Sequence, residues 1–273
     1  YAMGGCSADD TCYKDVYRSA DGIQWEELPE PPWLSRTAGS LSVFNEELWL
    51  YGGSNQGYLN DVWKTADGIS WQQTKALTPE RSLSQVNFFT FQNKLWLLDY
   101  PFPNFTNPYE ASSSSDGVHW EHFPTTPPWT YRYAMGSATF HGAMWLFGGR
   151  DERGLKNDVW KSTDGKDWRL VTANAPWAPR EYQQVVVHEN ALWLIGGASD
   201  GKKYFNDVWR SEDGENWIAV TNNAAWGPRF GQGVISFKDK LWVLGGYDGN
   251  VGLNDTWSSA DGSTWEQVTP AAS

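Results

Sequence analysis

The stretch Asn157-Asp158-Val159-Trp160-Lys161-Ser162-Thr163-Asp164-Gly165-Lys166-Asp167-Trp168 decides the fold, because the same phrase returns along the chain. Residues 60–71, 206–217 and 254–265 repeat it almost residue for residue. Residues 14–25 repeat it with Tyr17 in place of the first Trp, and residues 115–120 keep only its closing half. The closing tryptophans Trp25, Trp71, Trp120, Trp168, Trp217 and Trp265 are spaced by 46, 49, 48, 49 and 48 residues. A period in the forties built from strand-like segments is the mark of radial repetition, in which no unit can bury its apolar faces alone. The expectation is an all-β, six-bladed β-propeller.

Each unit reads as four short antiparallel strands. In the fifth these are 183–188, 191–195 after a turn at Glu189-Asn190, 207–210, and 217–220. In the second strand of the second unit, Leu48 and Leu50 point to one face and Trp49 and Tyr51 to the other. Both faces are apolar, so both must be covered, and stacked blades provide that cover. A glycine pair follows this strand at 4–5, 52–53, 148–149, 196–197 and 245–246. There the backbone is expected to turn where a side chain would strike the adjacent blade. Ser-x-Asp-Gly-x-x-Trp reads as a tight turn, with Asp bonding backbone amides and Gly taking positive φ.

The 273 residues read as one domain, with a partial first blade at 1–29 and further blades at about 36–75, 81–124, 132–172, 180–221 and 229–269. Two units depart from the pattern. Tyr1-Ala2-Met3-Gly4-Gly5 aligns with Trp49-Leu50-Tyr51-Gly52-Gly53, so the first blade lacks its innermost strand, and the natural chain is expected to carry residues beyond one end. In the third unit Asp99-Tyr100 replaces the glycine pair and residues 101–109 replace the usual loop.

A net charge of -12 and a pI of about 4.7 argue against nucleic acid or an anionic membrane as the general partner, and no apolar run approaches the ~18 residues of a membrane helix. Nineteen tryptophans require a core of large flat side chains. Cys6 and Cys12 are close enough in sequence for a small disulfide ring, which would place the chain in an oxidising, extracellular compartment. Asn104-Phe105-Thr106 fits a glycosylation sequon, as does Asn254-Asp255-Thr256.

The glycine doublet after an apolar strand, the spaced aromatic before the turn, the closing Trp and the Pro-Arg that opens a unit together resemble kelch repeats across the whole chain. The resemblance implies a six-bladed kelch-type propeller of four-stranded blades. Kelch propellers serve as partner-binding modules, actin-associated proteins, sialic acid mutarotases and copper oxidases. A copper oxidase needs a Tyr-Cys crosslink and two His ligands, and here both cysteines fall in one outer loop. His119 and His122, three apart on a strand, would point to opposite faces, while His141 and His188 fall at turns where solvation is expected. No metal or cofactor is expected.

An arginine precedes each complete innermost strand: Arg36, Arg81, Arg132, Arg180 and Arg229. Trp33, Trp129, Trp177 and Trp226 lie three residues before four of them. In a closed propeller these side chains would converge on an axial mouth able to grip carboxylates, unless each bonds carbonyls between blades. The reading is a secreted, non-catalytic recognition propeller that binds an acidic glycan or acidic protein segment there. Two alternatives stay open. One is an enzyme of the sialic acid mutarotase kind with Glu80 or Glu181 as acid or base. The other is a structural module of a larger extracellular assembly.

Overall fold

The computed structural model describes residues 1–6, 11–74, 87–99, 110–124, 127–129 and 132–269. The chain divides into two compact units, Tyr1–Pro127 and Pro128–Ser273. Among the described residues of the first, β1 (Ala2–Cys6), β2 (Cys12–Arg18) and β3 (Glu26–Glu27) make a three-stranded sheet. Next come β4 (Ser40–Phe44), β5 (Glu47–Ser54), β6 (Tyr58–Thr65) and β7 (Gln72–Thr74), then β8 (Asn87–Phe91), β9 (Lys94–Asp99), β10 (Glu110–Ser114) and β11 (Glu121–Pro124), each set one sheet in sequence order. The deviant third unit therefore keeps four strands. Buried Ala111 and Ser112 of β10 stand where the repeat phrase has Val159 and Trp160.

The second unit opens with β12 (Gly136–Phe140), β13 (Ala143–Asp151), β14 (Gly154–Ser162) and β15 (Arg169–Thr172). Its next sheet holds β16 (Gln184–His188) and β17 (Ala191–Ile195). A hairpin of β18 (Ala198–Ser199) and β19 (Lys203–Tyr204) intervenes before β20 (Val208–Ser211) and β21 (Ile218–Thr221) complete that sheet. The last sheet is β22 (Gly233–Phe237), β23 (Lys240–Tyr247), β24 (Gly252–Ser259) and β25 (Glu266–Thr269). All these pairings are antiparallel.

Local chemistry accounts for the repeat. The turn from inner to second strand places two residues in the left-handed region, as at Glu189 (φ 46°) and Asn190 (φ 56°), which matches the right-handed twist of a hairpin. In four of the five pairs the second glycine marks a register shift, as between Tyr51 and Gly53 and between Phe147 and Gly149, whereas at Gly196-Gly197 the strand ends at Ile195. A Cβ on Gly149 would lie 2.6 Å from the Tyr133 carbonyl oxygen, and one on Gly148 3.0 Å from that of Arg180 in the following blade. The pair is thus a bulge that lets neighbouring backbones close in. In the Asp turns, the Lys166 and Asp167 amides donate to Asp164 Oδ1 at 2.9 and 2.8 Å, and the Gly165 amide donates to Ser162 Oγ at 2.8 Å. The closing indole bonds back to the turn, as Trp217 Nε1 does to the Gly214 carbonyl at 3.1 Å. Second-strand residues Trp145, Phe147, Leu192 and Leu194 then form the core between consecutive blades of the second unit.

The turns carry a pH dependence. The Thr264 amide, opposed by partial burial and helped by the Ser263 amide, holds the Asp261 carboxyl down at about 2. Burial pushes Asp213 up, but the Asn216 and Glu215 amides outweigh it, and its carboxyl also sits at about 2. The unfolded chain takes up these protons first as pH falls below about 4. The turns' stabilisation is therefore fully present above pH 4 and disappears as pH drops through about 2. Urea unfolding should give a lower free energy at pH 2.5 than at pH 5, and Asp261→Asn should flatten that slope. An unchanged slope would contradict the role given to the turn.

Candidate functional site

In the first unit Arg36 is buried. It donates through Nη1 to the Gly52 carbonyl at 2.7 Å, and through Nη1 and Nη2 to the two oxygens of Asp61 at 2.7 and 2.8 Å. In the second unit Arg180 grips the Gly196 carbonyl and both oxygens of Asp207 at 2.6 and 2.7 Å, and Arg229 does the same with Gly245 and Asp255. Arg132 bonds Gly148 and Asp158. In Arg36, Arg180 and Arg229 the main chain faces the preceding blade. The Arg180 amide donates to the Lys156 carbonyl at 3.0 Å, and its carbonyl accepts from the Gly149 amide at 2.9 Å. Arg36 and Arg229 are placed likewise, against Tyr13 and Gly5, and against Phe205 and Gly197. Each of these three is a staple, with its backbone in one blade seam and its guanidinium holding the next blade's glycine bulge to that blade's third strand.

The aspartates are doubly used. Asp61 Oδ2 also accepts from Trp63 Nε1 at 2.7 Å, and Asp255 Oδ2 from Trp257 Nε1 at 2.7 Å. Burial pushes both carboxyls up, yet Arg36 with Trp63, and Arg229 with Trp257, outweigh it and leave both below the ordinary aspartate value. Trp33, Trp129, Trp177 and Trp226 are buried too. They meet the closing indoles Trp71, Trp168, Trp217 and Trp265 edge to face at ring separations of 5.8, 5.5, 4.7 and 5.7 Å. The expected ligand mouth of arginine and tryptophan therefore differs from what is seen at these eight residues. Their charge is matched within the blade and their rings face one another, because buried guanidinium requires a buried counter-charge.

Arg81, Glu80 and Asn104 lie outside the described residues. Glu181 Oε2 and Oε1 accept from Arg150 Nε and Nη2 at 2.9 and 3.3 Å, which occupies the carboxylate proposed as acid or base. Cys6 and Cys12 face each other across β1 and β2 and form the disulfide, with Cα atoms 4.0 Å apart. His188 corrects the expectation of solvation. It is 3% exposed and shares a hydrogen bond with Ser236 Oγ at 2.9 Å, because it ends its inner strand where Phe44, Phe91, Phe140 and Phe237 end theirs. His119 instead pairs with Asp116 and His122 with Ser112. Among the described residues no group of three or more His, Cys, Asp or Glu is placed to hold a metal, and no helix is long and apolar enough to cross a membrane.

A different surface of the second unit gathers groups suited to a ligand. Phe230 lies 5.5 Å from Tyr182, 5.2 Å from Tyr204 in a stacked pair, and 5.6 Å from Tyr247, and all four rings are half-buried. Tyr182 has φ 56° where the equivalent residues are Ala38, Ala134 and Gly231, so a bulky side chain is held in a backbone region that disfavours it. Gly249 (φ 96°) makes room for Tyr204, since a Cβ there would sit 2.9 Å from its hydroxyl oxygen. Beside the rings Arg150 bridges Glu181 and Asp200, at 2.9 and 2.6 Å. Burial, and then the Glu181 charge, push the Tyr133 hydroxyl pKa up, against the opposing charge of Arg150. Lys202 and Lys203 are exposed on the hairpin that carries Tyr204.

Repeat-based reading passed over this surface because its residues do not repeat. The signal was the bulky Tyr182 two residues after Arg180, where the other described blades carry alanine or glycine. The aspartate partners do repeat, 25 to 27 residues after each arginine, as the second letter of the Asn-Asp-Val-Trp phrase.

Successive small antiparallel sheets with bulged second strands, held blade to blade by buried arginines, define a six-bladed β-propeller, a fold that serves in general as a non-catalytic interaction module. The family model of the DUF6242 beta propeller domain matches residues 43–273, and the chain belongs to that family. No curated protein matches the chain.

Proposed function

We propose that this propeller is a secreted recognition module that binds an acidic glycan at the Tyr182, Tyr204, Phe230 and Tyr247 surface. The observation that carries the reading is Tyr182, kept in a strained left-handed backbone beside Phe230, which also meets Tyr204 and Tyr247. Flat aromatic faces stack on the apolar faces of sugar rings, while the Arg150 bridge and the tyrosine hydroxyls offer hydrogen bonds to sugar hydroxyls. Lys202 and Lys203 supply the cations for a carboxylate. The buried arginines and tryptophans contribute from beneath as positioning residues that fix the loops. The glycine bulges and closing tryptophans favour a repeat of kelch type, and the Cys6–Cys12 disulfide favours an oxidising compartment.

The test is a glycan array followed by calorimetry on the best acidic and neutral hits. Tyr204→Ala should weaken binding at least about tenfold, a loss of ~1.4 kcal/mol. The Lys202→Ala/Lys203→Ala variant should weaken only carboxylated ligands. Absence of glycan binding, or affinity that survives Tyr204→Ala, would overturn the reading.

A further inference from the structure

The residue after the glycine pair is Cys6, Ser54, Arg150, Ala198 or Tyr247, according to the blade. Its main chain serves the repeat in one way, since Arg150 bridges Tyr133 as Ser54 bridges Thr37 and Ala198 bridges Glu181. That role needs no particular side chain, so the fold itself does not call for a cation at position 150. What the Arg150 side chain does is set by its two neighbours, Glu181 at the entry of the next blade and Asp200 in the turn between β18 and β19.

A guanidinium has two edges, each matching the two oxygens of a carboxylate. Glu181 fills the edge of Nε and Nη2, at 2.9 and 3.3 Å. On the other edge Asp200 touches Nη2 alone, at 2.6 Å, and among the described residues Nη1 has no hydrogen-bond partner. The two carboxylates also differ in exposure. The Glu181 side chain is 14% exposed and the Asp200 side chain 71%, with Arg150 between them at 25%. Glu181 is therefore the fixed partner. Asp200 precedes Gly201 and Lys202, both at positive φ (71° and 61°), at the tip of a short hairpin. An ion pair so exposed contributes little stability, so another carboxylate can replace it. The exchange keeps Arg150 balanced by two carboxylates and returns Asp200 to water.

We infer that Arg150 is the carboxylate receptor of the aromatic surface and that Asp200 holds it as an internal stand-in, which a carboxylate borne on a sugar ring displaces by taking both Nη1 and Nη2. For the rest of the ligand this rests on the glycan reading above, and it narrows the acid group to the one that Asp200 itself presents. Lys202 and Lys203, exposed on the same hairpin, draw the anion in, and Arg150 seats it. Asp200 then acts as an autoinhibitory contact that neutral sugars do not meet, because they have nothing to offer the open edge of the guanidinium. All these residues lie within Pro128–Ser273.

Two probes test this. Sodium acetate, titrated at constant ionic strength into the isotope-labelled protein, is read by NMR from the Arg150 Nε–H resonance, assigned by its loss in Arg150→Lys. A saturable shift is expected, at about threefold lower acetate in Asp200→Asn. Trigalacturonate and its neutral methyl ester are then compared by calorimetry. Asp200→Asn should strengthen the acid about threefold and leave the ester unchanged. Arg150→Gln/Glu181→Gln, which removes the cation together with its fixed partner, should weaken the acid at least about tenfold and keep the ester. In that background the gain from Asp200→Asn should vanish. A gain that persists there would reflect simple relief of repulsion and would overturn the proposal, as would acetate titrations identical in wild type and Asp200→Asn. Acetate binding as expected without binding of any sugar would support the receptor and sink the glycan reading alone. Sugar binding lost in Tyr204→Ala but indifferent to Asp200→Asn would sink this inference alone.

Discussion

Replacing Arg180 by alanine is expected to lower the unfolding free energy by about 3–5 kcal/mol, measured by urea denaturation at pH 7. The guanidinium is 0% exposed and makes bonds to Gly196 and to both oxygens of Asp207. Its removal strands a largely buried carboxylate whose remaining side-chain donor is the Trp209 indole at 2.8 Å. Desolvation of that unpaired charge dominates the loss, because surface ion pairs are worth ~1 kcal/mol or less. Asp207→Asn should relieve part of the damage in the Arg180→Ala background by removing the stranded charge. An Arg180→Ala variant within 1 kcal/mol of wild type would show that the staple carries little of the blade's stability.

Trp177→Ala should cost a comparable amount, about 3–5 kcal/mol, through a cavity rather than a charge. Trp177 is 1% exposed, packs edge to face on Trp217 at 4.7 Å, and belongs to the core that also holds Phe140, Phe147, Leu192 and Leu194. Trp177→Phe keeps part of that edge and should lose roughly half as much. The two routes are separable by a second substitution. Asp207→Asn should narrow the gap between Arg180→Ala and wild type, while it leaves the cavity penalty of Trp177→Ala in place. A Trp177→Ala protein with unchanged unfolding would contradict its assignment to the core.

What the sequence made legible follows from where repetition acts. The four strands expected for the fifth unit at 183–188, 191–195, 207–210 and 217–220 compare with 184–188, 191–195, 208–211 and 218–221 in the structure. Alternation and turn chemistry are local, so they survive without tertiary knowledge. The glycine pairs were readable for the same reason, since only a tight approach demands both. The fate of the arginines was not. A run of cations before inner strands is compatible with an open mouth or with internal pairing, and only the placement of Asp61, Asp158, Asp207 and Asp255 beside them decides between the two. His188 was misread because a histidine at the end of a strand looks like a turn residue until Phe44, Phe91, Phe140 and Phe237 are aligned with it. Tyr182, Tyr204, Phe230 and Tyr247 lie far apart in sequence, and the blade-to-blade approach that gathers them has no signature along the chain.

The charge of Arg36, Arg132, Arg180 and Arg229 is consumed inside its own blade, which leaves recognition to other side chains. A double-mutant cycle between Arg180 and Asp207, read from urea unfolding of wild type, both single alanine variants and the double variant, tests this most directly. The expected coupling is about 2–3 kcal/mol. A coupling below about 0.5 kcal/mol, with each single variant close to wild type, would mean that the guanidinium is not committed to Asp207, and the division between structural arginines and recognising aromatics would be wrong.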